Sequence, residues 1–238
     1  MAIAVDGSSP ALVSGTGSTK TTASFSPPAG LLVACVAYEA VGSANATITL
    51  SNTGTGLTWT QRARRDANDS GTTFEGIAAV FTAVNTNAQT GITVSSLSAV
   101  GSDAGALKVL VFTGVDMASP VGATGEGSSG DPSGSPTVYT STVAGSRAVG
   151  MFSDFSIQGT GSSSDTGYGF LVASRLGGVA VHKAADTPTI GTNVTLNFNN
   201  GSSFGQWNWA AIEIKPGAPY VAPPPRLLRQ AVNRAATY

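Results

Sequence analysis

The chain has 238 residues, 41% of them hydrophobic, 11% charged and 30 of them glycine, with a formal net charge of −1. A chain of this size can bury a sizeable core as one large domain or two small ones. The near-neutral balance excludes a strongly basic nucleic-acid binder. A single cysteine, Cys35, excludes a disulfide scaffold, and with His182 as the single histidine no multi-ligand Cys/His zinc site can form.

The opening residues, MAIAVDGSSP, carry neither a basic segment nor a long apolar one. No secretory signal is read there, and synthesis in a cytosol is expected. The longest apolar run, Leu31 to Tyr38, is too short for a membrane-crossing helix, which needs about 20 residues. It reads as a buried strand ending at Glu39. Ala46 to Leu50 alternates, with Ala46, Ile48 and Leu50 on one face. Gly76 to Val84 is another buried-strand candidate, and Gly91 to Leu97 sets Ile92 and Val94 on one face. Leu107 to Val115 aligns Leu107, Val109, Val111 and Thr113. Ala148 to Ile157, Tyr168 to Ala173, Gly178 to His182, Asn193 to Phe198 and Trp207 to Lys215 complete the series. Clusters of Gly, Asn, Ser and Pro part these segments, as turn formers do.

No segment before residue 225 has a helical period of useful length, so the crossover helices of a parallel sheet are missing. The expected fold is all-β: an antiparallel β-sandwich, jelly-roll-like, over residues 1–215. The two halves, about 1–115 and 136–215, share a texture but no repeat. Residues 122–136 form one low-complexity stretch and read as a surface loop. Residues 216–238 differ in kind. Pro223, Pro224 and Pro225 set a stiff, extended arm. After it, residues 226–236 fit a short amphipathic helix with Leu227, Leu228 and Val232 apolar and Arg226, Arg229 and Arg234 charged. The body holds nine basic and 13 acidic residues, a balance of −4, whereas the tail has three Arg and no acid.

Catalytic constellations are thin. A Ser/His/Asp triad could use only His182, at a strand end and without a nucleophile elbow. Cys35 sits in the most apolar run, where cysteine behaves as a small hydrophobe. Gly125 to Gly130 matches GxGxxG in letters, but no helix follows to hold a phosphate. Asp154, Asp165 and Glu75 are acids that the sequence cannot bring together. Asp66, Asn68 and Asp69 alternate like calcium ligands but lack the glycine and closing Glu of an EF-hand loop. No cofactor or metal is expected. Arg62, Arg64 and Arg65 beside Trp59 fit a charged strand edge or a subunit contact. Trp207 and Trp209 share one strand face; packed they would be core, and exposed they would stack on sugar rings.

Several segments together resemble a family of β-sandwich proteins encoded by tailed bacteriophages of actinobacteria and their prophages. They are Leu31-Leu32-Val33-Ala34 after Pro27-Pro28-Ala29-Gly30, Leu57-Thr58-Trp59-Thr60, and Ala79 to Val84. Val111 to Asp116 with Ser119 to Ala123, and Trp209 to Ile214, complete the pattern. The resemblance implies a non-enzymatic virion structural protein, a minor tail protein first and a capsid decoration protein second. It implies other virion proteins as partners, homo-oligomeric assembly in the particle and location in the virion after synthesis in the host cytoplasm. From the charge balance no nucleic acid is expected as a partner, and from the short apolar runs no membrane insertion. A terminal docking arm also resembles phage assembly, with Pro223 to Arg226, Leu227, Leu228, Arg229, Val232 and Arg234 as docking residues. An alternative is a module that binds host-surface glycan, with Trp59, Arg62, Arg64, Trp207 and Trp209 as contacts.

Overall fold

A computed structural model of the chain describes residues 2–39, 46–66, 76–99, 104–129, 135–154, 158–162, 164–173, 175–199 and 207–218. Among them are eighteen strands and no helix. The first half carries β1 (Ala4–Val5), β2 (Val13–Thr16), β3 (Thr19–Thr21), β4 (Gly30–Glu39), β5 (Ile48–Asn52), β6 (Thr60–Arg65), β7 (Gly76–Asn85), β8 (Val94–Ser98) and β9 (Ala104–Thr113). The second half carries β10 (Val121–Ser129), β11 (Thr137–Thr140), β12 (Arg147–Asp154), β13 (Thr160–Gly161), β14 (Asp165–Val172), β15 (Leu176–Lys183), β16 (Asn193–Thr195), β17 (Phe198–Asn199) and β18 (Trp207–Ile214). Every pairing is antiparallel.

Two main sheets pack face to face. The first has the order β1-β9-β4-β7-β6, with β2 beside β1 along β9; the second has the order β10-β18-β12-β15-β14. Smaller sheets cover their outer faces: β3-β8-β5 on the first, β11-β16 on the second with β13-β17 near by. Strand β4 illustrates why. Its odd residues, Leu31, Val33, Cys35 and Ala37, enter the core between the main sheets. Its even residues, Leu32, Ala34, Val36 and Tyr38, enter a second core under the cover. A strand apolar on both faces needs a layer on each side, so the run is continuous rather than alternating.

The halves repeat one another in topology. Replacing β1 and β2 by β10, β9 by β18, β4 by β12, β7 by β15 and β6 by β14 converts one main sheet into the other. The registers agree: Val33 lies opposite Leu110 and Thr82, and Val149 lies opposite Ile212 and His182. Packing between the halves is reciprocal. β4 meets β12; β7 meets β18 as β15 meets β9; β6 meets β10 as β14 meets β2. Two like units are therefore related by an approximate two-fold through β4 and β12. The sequence reading of halves alike only in texture is corrected: the duplication lies in strand order, while the paired positions carry different chemistry.

A second correction concerns residues 122–136, read as a loop. Residues 121–129 are β10, paired along β18 from Val121 opposite Ile214 to Ser129 opposite Trp207. Its glycines are packing requirements. A Cβ on Gly125 would lie 1.8 Å from the Val138 carbonyl oxygen, and one on Gly127 would lie 2.7 Å from the Trp209 ring. An edge strand squeezed this closely has no room for the apolar side chains that would have marked it.

Glu213 fastens this edge. It is fully buried on β18 and accepts hydrogen bonds from the amides of Ala123 (2.8 Å) and Thr142 (2.9 Å) and from the Thr142 hydroxyl. Burial opposes its charge, but the Thr142 and Ser146 hydroxyls and the two amides outweigh it and hold the carboxyl below its usual value. Stability from this group is thus present above the unfolded value, near 4.5, and lost as pH falls through the lower folded value. Glu213→Gln turns an NH2 toward an amide donor and is expected to cost about 2–3 kcal/mol at neutral pH in urea denaturation. The same variant should lose less stability on acidification than the parent chain.

Candidate functional site

Titratable side chains converge on one flank of the inter-sheet core, where β9 meets β14 and β15. Lys108 is 3% exposed; its Nζ donates to the Pro10 carbonyl at 2.5 Å and lies 4.1 Å from the centre of the Tyr168 ring. His182 meets Phe112 edge-on, ring centres 6.2 Å apart, and stands 6.1 Å from Tyr168. Its Nδ1 is 2.9 Å from the Lys183 carbonyl, which fixes the proton on that nitrogen. Cys35 faces Lys108 across the β4–β9 register and is fully buried.

Burial sets the electrostatics. It pushes the Cys35 thiol up to about 12, against the opposing effect of Lys108. It lowers the Lys108 ammonium and the His182 imidazole and raises the Tyr168 phenol. A thiol held this high is a poor nucleophile. The nearby carboxylate, Asp165, pairs with Lys183 at 3.0 Å and accepts the Asn197 amide at 2.6 Å, so it does not orient the imidazole. The two-fold places Ala210, Thr82 and Ala63 where Lys108, His182 and Tyr168 stand. Polar bulk occupies one flank and small residues the other. The cluster anchors the β1–β2 connection through Pro10.

The remaining sequence candidates fall in separate places. Arg62, Arg64 and Arg65 lie on β6, an edge strand. Arg62 Nε donates to Thr82 Oγ1 (2.8 Å); Arg64 bonds Asp66 (2.5 Å) and the Ala46 carbonyl (2.7 Å). These arginines fold back on their own sandwich. Trp59 is half-buried against the cover core. Trp207 and Trp209 are 1% and 8% exposed, packed with Phe198 under the second cover. They offer no platform for a sugar ring, because β18 lies between β10 and β12 and beneath β11–β16. Gly125 to Ser129 of the GxGxxG stretch are strand, and Gly130 lies outside the described residues. So do Asn68, Asp69, Glu75 and the arm residues Pro223, Pro224, Pro225, Arg226, Leu227, Leu228, Arg229, Val232 and Arg234. Asp154 and Asp165 are both buried, at the C-terminal end of β12 and the start of β14. Among the described residues no three His, Cys, Asp or Glu gather around a metal position, and no helix is long and apolar enough to cross a membrane.

Sequence reasoning missed how the end of the last strand is tied down. Residues 215–217 run against the β9–β10 crossing. Lys215 N donates to the Pro120 carbonyl (2.8 Å), Asp116 N to that of Lys215 (3.0 Å), and Gly217 N to that of Gly114 (2.8 Å). The free sides of β9 and β18 are already taken by β1, β2 and β10.

Comparison of the chain with protein-family profiles, with curated proteins and with solved structures finds no match.

The depressed Lys108 value carries a signed consequence. A lysine whose folded value is lowered gives stability above its unfolded value, near 10.5, and loses it as pH falls, so at neutral pH its burial is a cost. Lys108→Met keeps the stem and removes the charge. Its melting temperature at neutral pH should equal or exceed that of the parent, with the gap narrowing as pH rises. A lower value throughout would mean that the Pro10 bond and Tyr168 contact outweigh desolvation.

Proposed function

We propose that the chain is a non-enzymatic structural protein of a bacteriophage particle, most simply a minor tail protein, docked on neighbouring virion subunits through residues 216–238. Capsid decoration is the second placement. The observation that carries the reading is the contrast between the tail of the chain and its body. A segment with three successive prolines, three arginines and no acid follows a body of charge −4. It fits contact with another chain better than completion of its own sheet. Leu227, Leu228 and Val232 would enter a partner groove while Arg226, Arg229 and Arg234 meet acidic surface. Repeated copies in one particle give a homo-oligomeric array, formed after synthesis in the host cytoplasm.

The resemblance of Leu31 to Ala34, Ala79 to Val84, Val111 to Asp116 and Trp209 to Ile214 to phage β-sandwich proteins supports the same reading. So does the structural use of the buried polar groups: Glu213 fastens an edge and Lys108 holds a loop. Gold labelling of the protein on purified particles, viewed by electron microscopy, separates the two placements. Label on the tail supports the first, label over the head the second, and no label on any particle overturns both.

Deleting residues 219–238 should leave a folded sandwich that no longer enters particles. Normal incorporation of the truncated chain would refute the docking arm. Leu228→Asp should lower incorporation more than Arg229→Ala, because it puts a charge into an apolar contact. Equal effects would argue against a buried apolar face.

A further inference from the structure

Each half carries a concavity at the same place in its own sandwich. In the first half it lies between the β5–β6 and β7–β8 connections and has a volume of about 410 Å3. In the second it lies between the corresponding β13–β14 and β15–β16 connections, about 290 Å3. The positions match; the chemistry does not. The second is edged by Lys183 and Asp186, each held in an ion pair, with Asp165 and Arg147. The first is lined by no ionisable side chain. Its polar groups are the hydroxyls of Thr53, Thr55, Thr86 and Thr90 and the amides of Asn87 and Gln89, with Ile92 beneath.

The walls of this cleft are held in advance. Gln89 grips the opposite loop through a pair of bonds, accepting from Thr55 N (3.0 Å) and donating to the Thr55 carbonyl (2.8 Å). Its amide nitrogen also donates to Asn85 Oδ1 at 3.0 Å, and buried Asn85 is tied to the Pro28 carbonyl at 2.7 Å. Thr53 and Thr93 close the base, with Thr93 N donating to Thr53 Oγ1 at 2.9 Å. Gln89 is thereby spent as a clamp. Asn87 Nδ2 donates to Thr86 Oγ1 at 3.3 Å, which sets those two side chains side by side with the Asn87 carbonyl still able to accept. The hydroxyls of Thr55 and Thr90 line the same cleft, and because its two loops are already joined little backbone entropy is lost on binding.

The lining selects a ligand class. Threonine hydroxyls both donate and accept, and an asparagine amide does both at once. Such groups complement a ligand bearing many hydroxyls, while a charged ligand would lose hydration with no opposite charge to receive it. The cleft volume falls within the range of small-molecule sites. We propose that the cleft between residues 53–57 and 86–92 is a subsite for a neutral glycan, an uncharged stretch of polysaccharide. Glycan recognition is thereby assigned to a different surface from buried Trp207 and Trp209. The proposal does not rest on the virion reading, which particle labelling tests separately.

The test is titration of the isotopically labelled full chain with neutral oligosaccharides (glucan, mannan, galactan and arabinan fragments) at millimolar concentrations, followed by amide chemical shifts. The expected result is saturable shifts confined to 53–57 and 86–92 with at least one of them. Ala88→Trp fills the cleft from an exposed loop position and should weaken that response at least about tenfold with the melting temperature unchanged. Asn87→Asp should also weaken it. No saturable shift with any neutral fragment would overturn the proposal. So would an unchanged response in Ala88→Trp, shifts centred on 184–195, or a stronger response to oligomers of a uronic acid.

Discussion

Neither half of this molecule can keep its main sheet dry by itself. The inner faces of β4, β7 and β9 present Leu31, Val33, Val80, Leu110 and Phe112; those of β12, β15 and β18 present Val149, Met151, Ala180 and Ile212. The other half supplies the apolar surface that covers it, and the two faces form one core. The outer faces have the same need, met locally by the small covers. Burial on both faces of both sheets is the constraint from which the remaining features follow. It sets the four-layer order and brings Lys108 and His182 into a core.

The same constraint explains what could be read in the sequence. β4, β7 and β9 were legible because apolar side chains on two faces leave a continuous run. Two edges were legible in part: β6 through the charges of Arg62, Arg64 and Arg65, which fit a strand edge, and β14 through the apolar residues after Tyr168. β10 was not. It is marked by glycines that fit against the Val138 carbonyl and the Trp209 ring, and with no apolar period its hydrogen-bond ladder left no trace in residue type. The duplication was hidden for a related reason. Val111 and Glu213 occupy matching places, as do Lys108 and Ala210, and Thr82 and His182. Backbone order survives substitutions of that size where side-chain similarity does not.

The candidate site divides likewise. Cys35 was readable as a buried apolar residue from its run alone. The burial of Trp207 and Trp209 required knowing that a further sheet lies outside β18. The neutral cleft had no signal in the sequence, since threonines and an asparagine in turns are ordinary. Its meaning comes from the Gln89 clamp joining two loops 34 positions apart, a contact set by tertiary structure.

The crossing from β9 to β10 is the sole covalent tie between the halves, and Met117, Ala118 and Ser119 at its apex are exposed. The core on either side is continuous without it. Opening the backbone there would yield two fragments, each holding a complete set of strands and one bare apolar face. Such fragments would have to fold by complementation, each acting as the template on which the other becomes ordered. The chain is in this sense a fused heterodimer, in which the linker raises the local concentration of one partner around the other.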